Sequence, residues 1–268
     1  MLIRQSRLKQ FADCPRQWYY EHVLKQAEEK VGSLTVLGSI WHYAMEVYVT
    51  LDNDLETALA SFTYYWAHPW ELGYTIDFWH RRTTHDSLLK RGRNMLIRYD
   101  ELAPWEGHVI GTEIGFSVPL GSHTLTGHID KLLEHPGQTT IEVVDYKTAA
   151  MVPEKLKYNV QFTSYCYATE RPEFWEGIDQ PDAFFEYAGW KRRGQWFHAR
   201  NTKVFNAGYR TELDYKRLLL MADEMERSIE AGIYPIDYSG ETCGYCPFVE
   251  TCGSTEVSDP RLLSIVEG

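Results

Sequence analysis

Hydrophobic residues in the middle of the chain alternate with polar ones or form short β-branched runs, which is typical of strands. This pattern predicts three successive strands, over residues 108–120, 123–133 and 139–147. A Pro136-Gly137 pair separates the last two and predicts a tight reversal of the chain. The three segments are therefore expected to form one antiparallel sheet.

Apolar residues recur at helical spacing elsewhere in the chain, and a second pair of strands is expected later on. The helices are predicted over 6–13 with a continuation after Pro15, and over 39–51, 55–67, 80–102, 156–169 and 211–231; the later strands are predicted over 183–191 and 195–205. This order predicts an α/β fold, with a mixed sheet core and a helical lobe before it.

Two aspartates flank the Pro136-Gly137 turn symmetrically. In a hairpin centred there, Asp130 and Asp145 lie opposite one another, roughly 5 Å apart at Cα. Lys147 follows Asp145 by two residues, so their side chains share one face of the strand. Two ionised aspartates at this distance repel each other, and a divalent cation relieves that repulsion. The pattern predicts a metal site with a lysine beside it; ion pairs at the strand ends are the alternative.

Other side chains of suitable chemistry accompany these three. Glu113 on the preceding strand would add a carboxylate, and His42 would add an imidazole from the helical region. Gln161 and Tyr165 are spaced i and i+4, so they share one face of the next predicted helix. Hard oxygen ligands favour Mg²⁺ or Mn²⁺, and such a site suits metal-assisted hydrolysis of a phosphodiester.

The chain has 268 residues and a formal net charge of −11, which argues against a protein that binds polyanions through bulk charge. Its basic residues are clustered, however. They are Arg81, Arg82, Lys90, Arg91, Arg93 and Arg98, with Asp86 as the single acid between them, and a second group at 191–193. Either group would contact phosphates or form a solvated surface. The sequence shows neither a bilayer-spanning apolar run nor a signal peptide, so we expect a cytoplasmic protein without membrane contact.

The five cysteines indicate ligation rather than disulfide bonding, because their number is odd. Cys243, Cys246 and Cys252 form a C-x₂-C-x₅-C pattern, and Cys14 lies far upstream. A zinc site normally combines two close C-x₂-C pairs, whereas here a fourth ligand would come from a distant residue. Cys166 matches no such pattern and is expected in the core.

These motifs occur in a recognisable order: GSIWH ending at His42, then Glu113, then GHID ending at Asp130, then VVDYKT containing Asp145 and Lys147, then Q-x-x-x-Y from Gln161 to Tyr165. The series resembles that of the PD-(D/E)XK nucleases, in particular the RecB/AddB-like branch. The resemblance implies a restriction-endonuclease-like core.

The same resemblance implies a role for each motif residue. The resemblance implies that His42, Asp130 and Asp145 bind Mg²⁺ or Mn²⁺, and that Lys147 acts on the attacking water. Gln161 and Tyr165 assist near the DNA, and Glu113 is a secondary candidate.

The cysteine layout is similar to that of the iron–sulfur members of this branch. By that resemblance, Cys14, Cys243, Cys246 and Cys252 hold a structural [4Fe–4S] cluster, with zinc as the alternative and redox sensing as a lesser role. The expected regions are an N-terminal helical part at 1–106, the nuclease core at 107–210, and a C-terminal helix with the cluster tail at 211–268.

The expected function is that of a metal-dependent DNA exonuclease acting on single strands or duplex ends. Small members of the branch include phage recombination exonucleases and CRISPR adaptation nucleases that trim prespacers. A non-catalytic protein that binds DNA ends is the rival from another class. The chain has no GxxxxGK[ST] motif, so unwinding of DNA would need a helicase or a recombination or adaptation partner.

Overall fold

The computed structural model describes residues 1–26, 31–77, 84–102, 104, 107–149, 156–237 and 242–254. Their chain folds into two compact units. The first unit comprises Met1–Gln5 and Glu28–Leu220, and the second comprises Ser6–Ala27 and Met221–Gly268. The region boundaries expected from the sequence remain a prediction.

The strands are β1 (Leu2–Arg4), β2 (Val31–Gly32), β3 (Ile76–Asp77), β4 (His108–Leu120), β5 (His123–His135), β6 (Thr140–Lys147), β7 (Lys191–His198) and β8 (Lys203–Tyr209). The helices are α1 (Gln5–Asp13), α2 (Pro15–His22), α3 (Ser33–Thr50), α4 (Leu55–Ala67), α5 (His85–Leu102), α6 (Val160–Ala168), α7 (Pro172–Gly177), α8 (Ala183–Glu186), α9 (Glu212–Ala231) and α10 (Val249–Ser254).

A six-stranded mixed sheet forms the centre of the first unit, in the order β1-β5-β6-β7-β8, with β4 also paired to β5. The pairs β1–β5 and β6–β7 are parallel, and the pairs β4–β5, β5–β6 and β7–β8 are antiparallel. The predicted α/β fold with a mixed sheet flanked by helices is confirmed.

The β5–β6 hairpin has the register that its turn predicts. Lys131 pairs with Val144 and His135 with Thr140. Residues 140–146 of β6 are all buried, because this strand lies in the middle of the sheet and helices cover both of its faces. The hairpin is therefore a rigid base for side chains at its end.

Helices α3, α4 and α5 pack on one face of the sheet around a core that includes Trp41, Phe62, Met95, Tyr146 and Phe197. On the opposite face, α6 lies close to β7. A Cβ atom at Gly194 would lie 2.7 Å from the ring of Phe162, so this position accepts only glycine without a shift of the helix.

The strand pair predicted over 183–191 and 195–205 is wrong in its bounds, because the chain forms α8, β7 and β8 there. The prediction used Gly194 as a turn residue, but this glycine is inside β7 and provides space for Phe162. The turn that joins the two strands lies after β7 instead, at residues 199–202, where Thr202 has a φ of 53°. The sequence pattern also missed the short β1 and α7. Of the helix predicted over 80–102, residues 80–83 lie outside the described part of the chain.

The second unit contains α2, the end of α9 and the C-terminal segment that carries three cysteines. Tyr19 stacks on Tyr234 with ring centroids 4.4 Å apart, and Arg16 donates through Nε to the carbonyl oxygen of Tyr234 at 2.8 Å. These contacts attach α2 to the segment that follows α9. Within the described ranges of the whole chain, no helix is both long and apolar enough to cross a bilayer.

Candidate active site

The paired part of β5 and β6 ends at Lys131 and Val144, and the next residues in this register are Asp130 and Asp145. The Oδ2 atom of Asp130 accepts a hydrogen bond of 2.6 Å from the backbone N–H of Tyr146. Where the backbone pairing of β5 and β6 stops, the Asp130 carboxylate thus accepts from a backbone N–H in place of a carbonyl oxygen of the partner strand. Both aspartates are buried and lie at the same end of the hairpin.

Two further ligand-type side chains, those of His42 and Glu113, lie beside Asp130. The Nδ1 atom of His42 lies 3.5 Å from Asp130 Oδ2 and 3.8 Å from Glu113 Oε1. One donor atom from each of these residues lies within 4.8 Å of the others. Carboxylate oxygens suit Mg²⁺ and Mn²⁺, and an imidazole nitrogen favours Mn²⁺, so the donor set fits a divalent cation.

Close packing of α3 positions His42. One turn before it, Gly38 faces the end of β6, where an added Cβ would lie 2.9 Å from Thr148 Oγ1. Glycine at this position therefore lets the helix approach the strand end. Glu113 has a φ of 47°, a left-handed backbone conformation that residues other than glycine rarely adopt. Such strain occurs at functional sites where the surrounding structure enforces it.

A second group of contacts involves Asp145. The Nζ atom of Lys147 lies 2.9 Å from Asp145 Oδ1 and 2.7 Å from Oδ2. The Nε2 atom of Gln161 donates to Asp145 Oδ1 at 2.8 Å and also contacts the hydroxyl of Tyr165 at 2.8 Å. Helix α6 presents both residues because they are one turn apart. The lysine and the amide together fix the orientation of the Asp145 carboxylate.

The charges of the site influence one another strongly because they are buried. Burial raises the pKa of Asp130 to about 7, against the opposing effect of His42. For His42, burial alone would lower the pKa, but Asp130 and Glu113 outweigh it and raise the pKa above its usual value. Burial likewise opposes the charge of Lys147, and Asp145 and Asp130 together raise its pKa. A bound cation would relieve the repulsion among the three acids.

The structure brings every motif residue of this site to one end of the sheet, in two subgroups. His42, Glu113 and Asp130 share the donor cluster, while Asp145 pairs with Lys147 outside it. The roles assigned to these residues from the sequence remain predictions.

Two further groups at this site were not predicted from the sequence. One is the backbone N–H of Tyr146, which no side-chain pattern reveals. The other is Glu46, which lines a cavity of about 470 Å³ together with His42 and Glu113. Burial raises the pKa of Glu46, and Glu113 adds to this rise. The i, i+4 spacing of His42 and Glu46 on α3 is the signal that would have indicated it.

A family model for the PD-(D/E)XK nuclease superfamily matches residues 4–253. The chain belongs to this superfamily. PD-(D/E)XK nucleases use divalent metals, and the cluster of His42, Glu113 and Asp130 is a possible site for one. Membership of the superfamily also indicates a phosphodiesterase that acts on DNA.

Two solved structures are similar to this nuclease over most of both chains. SSO0001 is 13% identical, with 94% of this chain and 85% of that chain covered and a TM-score of 0.43. A protein from Eubacterium rectale, described as "Putative exonuclease", is 12% identical, with 93% and 87% covered and a TM-score of 0.46. A comparison with curated proteins gave no match.

The second unit of the nuclease brings four cysteines together. Cys14, Cys243, Cys246 and Cys252 line one cavity of about 220 Å³, and no disulfide joins any of the five cysteines, all of which the structure describes. Cys14 is also the N-cap of α2, where its Sγ accepts a hydrogen bond of 3.5 Å from the backbone N–H of Gln17.

The other three cysteines of the cavity influence the Cys246 thiol. Burial raises the pKa of the Cys246 thiol, a hydrogen bond from the Phe248 backbone lowers it, and the other three cysteines raise it further. Such mutual repulsion is relieved when thiolates ligate a metal centre. The remaining cysteine, Cys166, is buried in α6 of the first unit.

Proposed function

We propose that this chain is a Mg²⁺- or Mn²⁺-dependent deoxyribonuclease, and that it acts as an exonuclease on single strands or duplex ends. The observation that carries the proposal is the donor cluster of His42, Glu113 and Asp130 beside the Asp145–Lys147 ion pair, all at one end of the central hairpin. An ordinary ion pair at a strand end requires neither the imidazole nor the third carboxylate.

The ligands of the ion would be His42, Asp130 and Asp145, with Glu113 as a further carboxylate. A divalent cation held by these residues would polarise the scissile phosphate and lower the pKa of a bound water. The Tyr146 N–H keeps the Asp130 carboxylate fixed through its 2.6 Å hydrogen bond. A ligand that is already oriented loses little conformational entropy when the ion binds.

Lys147 is suited to orient the attacking water and to offset the negative charge that develops on the phosphate. Its pKa is raised because Asp145 and Asp130 outweigh burial, so the side chain remains an ammonium at neutral pH. It therefore acts as a hydrogen-bond donor rather than as a general base. Gln161 keeps Asp145 in place, and the hydroxyl of Tyr165 accepts from Gln161, which leaves the phenol proton for a phosphate oxygen.

We include a structural [4Fe–4S] cluster held by Cys14, Cys243, Cys246 and Cys252, with zinc as the alternative. The shared cavity and the effect of the other three cysteines on the Cys246 thiol support a common metal centre. Such a centre joins α2 to the C-terminal segment across more than two hundred residues of chain. Closing so long a loop contributes roughly 4 to 5 kcal/mol in the chain-entropy model used for disulfides.

The proposal places the chain in the RecB/AddB-like branch, where it would trim DNA ends during recombination or CRISPR adaptation. Because it has no ATP-binding loop motif, a helicase or an adaptation protein would supply open DNA ends.

The test is digestion of end-labelled single-stranded and double-stranded DNA in the presence of Mn²⁺ or Mg²⁺. We expect the wild type to cleave from an end, and Lys147→Gln to lose at least about a hundredfold in rate, as for removal of a transition-state donor. Lys216→Gln, an exposed lysine on α9, is the matched control for the loss of one charge. A Lys147→Gln variant as active as this control would overturn the proposed site.

A further inference from the structure

A groove of about 480 Å³ lies between α5 and the turn that joins β7 to β8. Its lining is polar and basic, formed by Ser87, Lys90, Arg91, Asn94, Met95, Arg98, Arg200 and Asn201. The volume falls in the range of small-ligand sites. Four positive side chains in one groove are unusual for a protein of net charge −11.

This groove lies at the same end of the sheet as the candidate active site, where β6 and β7 both finish. Strand β7 runs parallel to β6, with His198 opposite Lys147, and the backbone N–H of Ala199 donates to the Lys147 carbonyl oxygen at 2.9 Å. Arg200 is the next residue, so it leaves the sheet where Lys147 does. The Nδ1 atom of His198 accepts a hydrogen bond of 3.1 Å from the backbone N–H of Asn201, which fixes the turn.

The basic side chains of the groove are not paired with acidic side chains among the described residues. No carboxylate belongs to its described lining, and none of Lys90, Arg91, Arg98 and Arg200 forms an ion pair with a described residue. Burial lowers the pKa of Arg200, and the neighbouring Arg91 lowers it further. An anion between these guanidinium groups would remove the repulsion and accept hydrogen bonds from both.

The other described basic residues of the two sequence clusters have structural partners instead. Arg93, on the same helix, donates to the Leu59 carbonyl oxygen and to Thr63 Oγ1. Arg193 pairs with the buried Glu142 at 2.8 Å. Arg81 and Arg82 lie outside the described residues. The groove therefore contains basic side chains that packing does not explain.

We propose that this groove binds the sugar–phosphate backbone of the DNA strand whose scissile phosphate occupies the candidate active site. The proposal rests on the proposed nuclease function. Guanidinium and ammonium groups contact phosphates without reading bases, and Ser87, Asn94 and Asn201 add neutral hydrogen-bonding groups. Binding through the groove is thus independent of sequence and depends on salt.

The experiment measures the affinity of labelled single-stranded oligothymidine by fluorescence anisotropy, in EDTA and over a range of salt concentrations. The groove variants are Arg91→Gln/Arg200→Gln and Lys90→Gln/Arg98→Gln. The second pair is exposed, so it tests the groove even if the first pair folds poorly. Lys216→Gln/Arg217→Gln, at two exposed residues of α9, removes the same charge elsewhere and is the matched control.

We expect each groove variant to bind more weakly and its salt slope to fall by about 1.4, since each contact to a single strand contributes about 0.7. The control should retain the wild-type slope. Equal slopes in all variants would overturn the proposal, and so would equal losses in the groove variants and the control.

A second readout separates the groove from the chemistry. Hydrolysis of thymidine 5′-p-nitrophenyl phosphate, which has a single phosphodiester and no flanking strand, should be unchanged in the folded groove variants. If the wild type cleaves neither substrate but the groove variants still lose DNA affinity, the nuclease proposal fails while the groove remains. If the wild type cleaves DNA and the groove variants bind it as tightly as the control does, the groove proposal fails alone.

Discussion

The carboxylate of Asp130 and the backbone N–H of Tyr146 are joined by a 2.6 Å hydrogen bond at the point where the β5–β6 ladder ends. Asp130 thus has two separable roles, because it satisfies a buried backbone donor and also provides a charged oxygen to the donor cluster. Substitutions that remove one role and keep the other can distinguish them.

Asp130→Asn should retain the fold and lose the chemistry, since the amide oxygen can still accept from Tyr146 but carries no charge. Asp130→Ala leaves the buried N–H without its acceptor, which costs about 1–3 kcal/mol. We therefore expect both variants to lose Mn²⁺ binding by calorimetry, and only the alanine variant to lose stability in urea. Equal stability of the two would show that the hydrogen bond contributes nothing measurable.

Gln161 should affect turnover more than metal affinity, because it orients Asp145 and contacts Tyr165 without being one of the proposed ligands itself. Gln161→Leu removes the amide that fixes Asp145, so we expect kcat to fall by roughly tenfold to a hundredfold, a smaller loss than for Lys147→Gln. The Mn²⁺ affinity should change little. A loss of metal affinity as large as that of Asp130→Asn would place Gln161 among the groups that hold the ion.

The native Glu113 should lower the stability of the fold while it strengthens metal binding. Its φ of 47° is strained for glutamate, and asparagine tolerates that conformation better. We expect Glu113→Asn to raise the free energy of unfolding by about 1 kcal/mol and to weaken Mn²⁺ binding. Urea denaturation and calorimetry on one preparation would measure both. Glu113→Gln, which keeps the length and the strain but not the charge, is the control and should lose affinity without gaining stability.

Lys131 should make stability depend on pH above neutrality. It is buried on the face of the sheet that α5 covers, and its Nζ donates to the Tyr99 hydroxyl at 3.4 Å. Burial lowers the pKa of Lys131 from 10.5 to about 8. Between these two values the unfolded chain binds more protons than the folded one, so the free energy of unfolding rises with pH.

The size of this effect follows from the shift of the Lys131 pKa, and it amounts to about 3 kcal/mol at most. Lys131→Met should be more stable than the wild type at pH 7, and the difference should shrink as the pH approaches 10. Urea denaturation at several pH values would measure it. Parallel curves for the two proteins would exclude Lys131 as the cause.

Cys14 should be required for the metal centre of the second unit, and Cys166 should not. Serine is a good N-cap, so Cys14→Ser keeps the cap of α2 while removing one proposed ligand. We expect iron and sulfide content to fall and the free energy of unfolding to drop by roughly 4 kcal/mol. Cys166→Ser, a buried thiol in the first unit, is the matched control and should keep its iron. Stoichiometric zinc in the wild type would replace the cluster with the alternative.

The hairpin register could be predicted from the sequence because it depends on local rules alone. The Pro136-Gly137 turn sets the centre, and the strand period then fixes which side chains share a face. The observed pairing of Lys131 with Val144 has that register. The positions of Asp130, Asp145 and Lys147 follow from it without knowledge of any distant contact.

The donor cluster could not be predicted in the same way, because it depends on tertiary packing. His42 reaches Asp130 only because α3 approaches the strand end at Gly38, and Glu113 reaches it through an unusual backbone conformation. The basic residues of α5 show the same limitation. Sequence places Arg91 and Arg93 in one cluster, yet α4 binds Arg93 while Arg91 faces the groove.

The short connection between β5 and β6 has a consequence for how such a protein can vary. It contains the turn Pro136–Gln138 and then Thr139 in a left-handed conformation. Loss of one residue there would shift β6 by one position and send each of its side chains to the other side of the sheet. Surface loops in general tolerate insertions and deletions. The length of this connection is constrained instead, because it sets the alignment of Asp130 with Asp145.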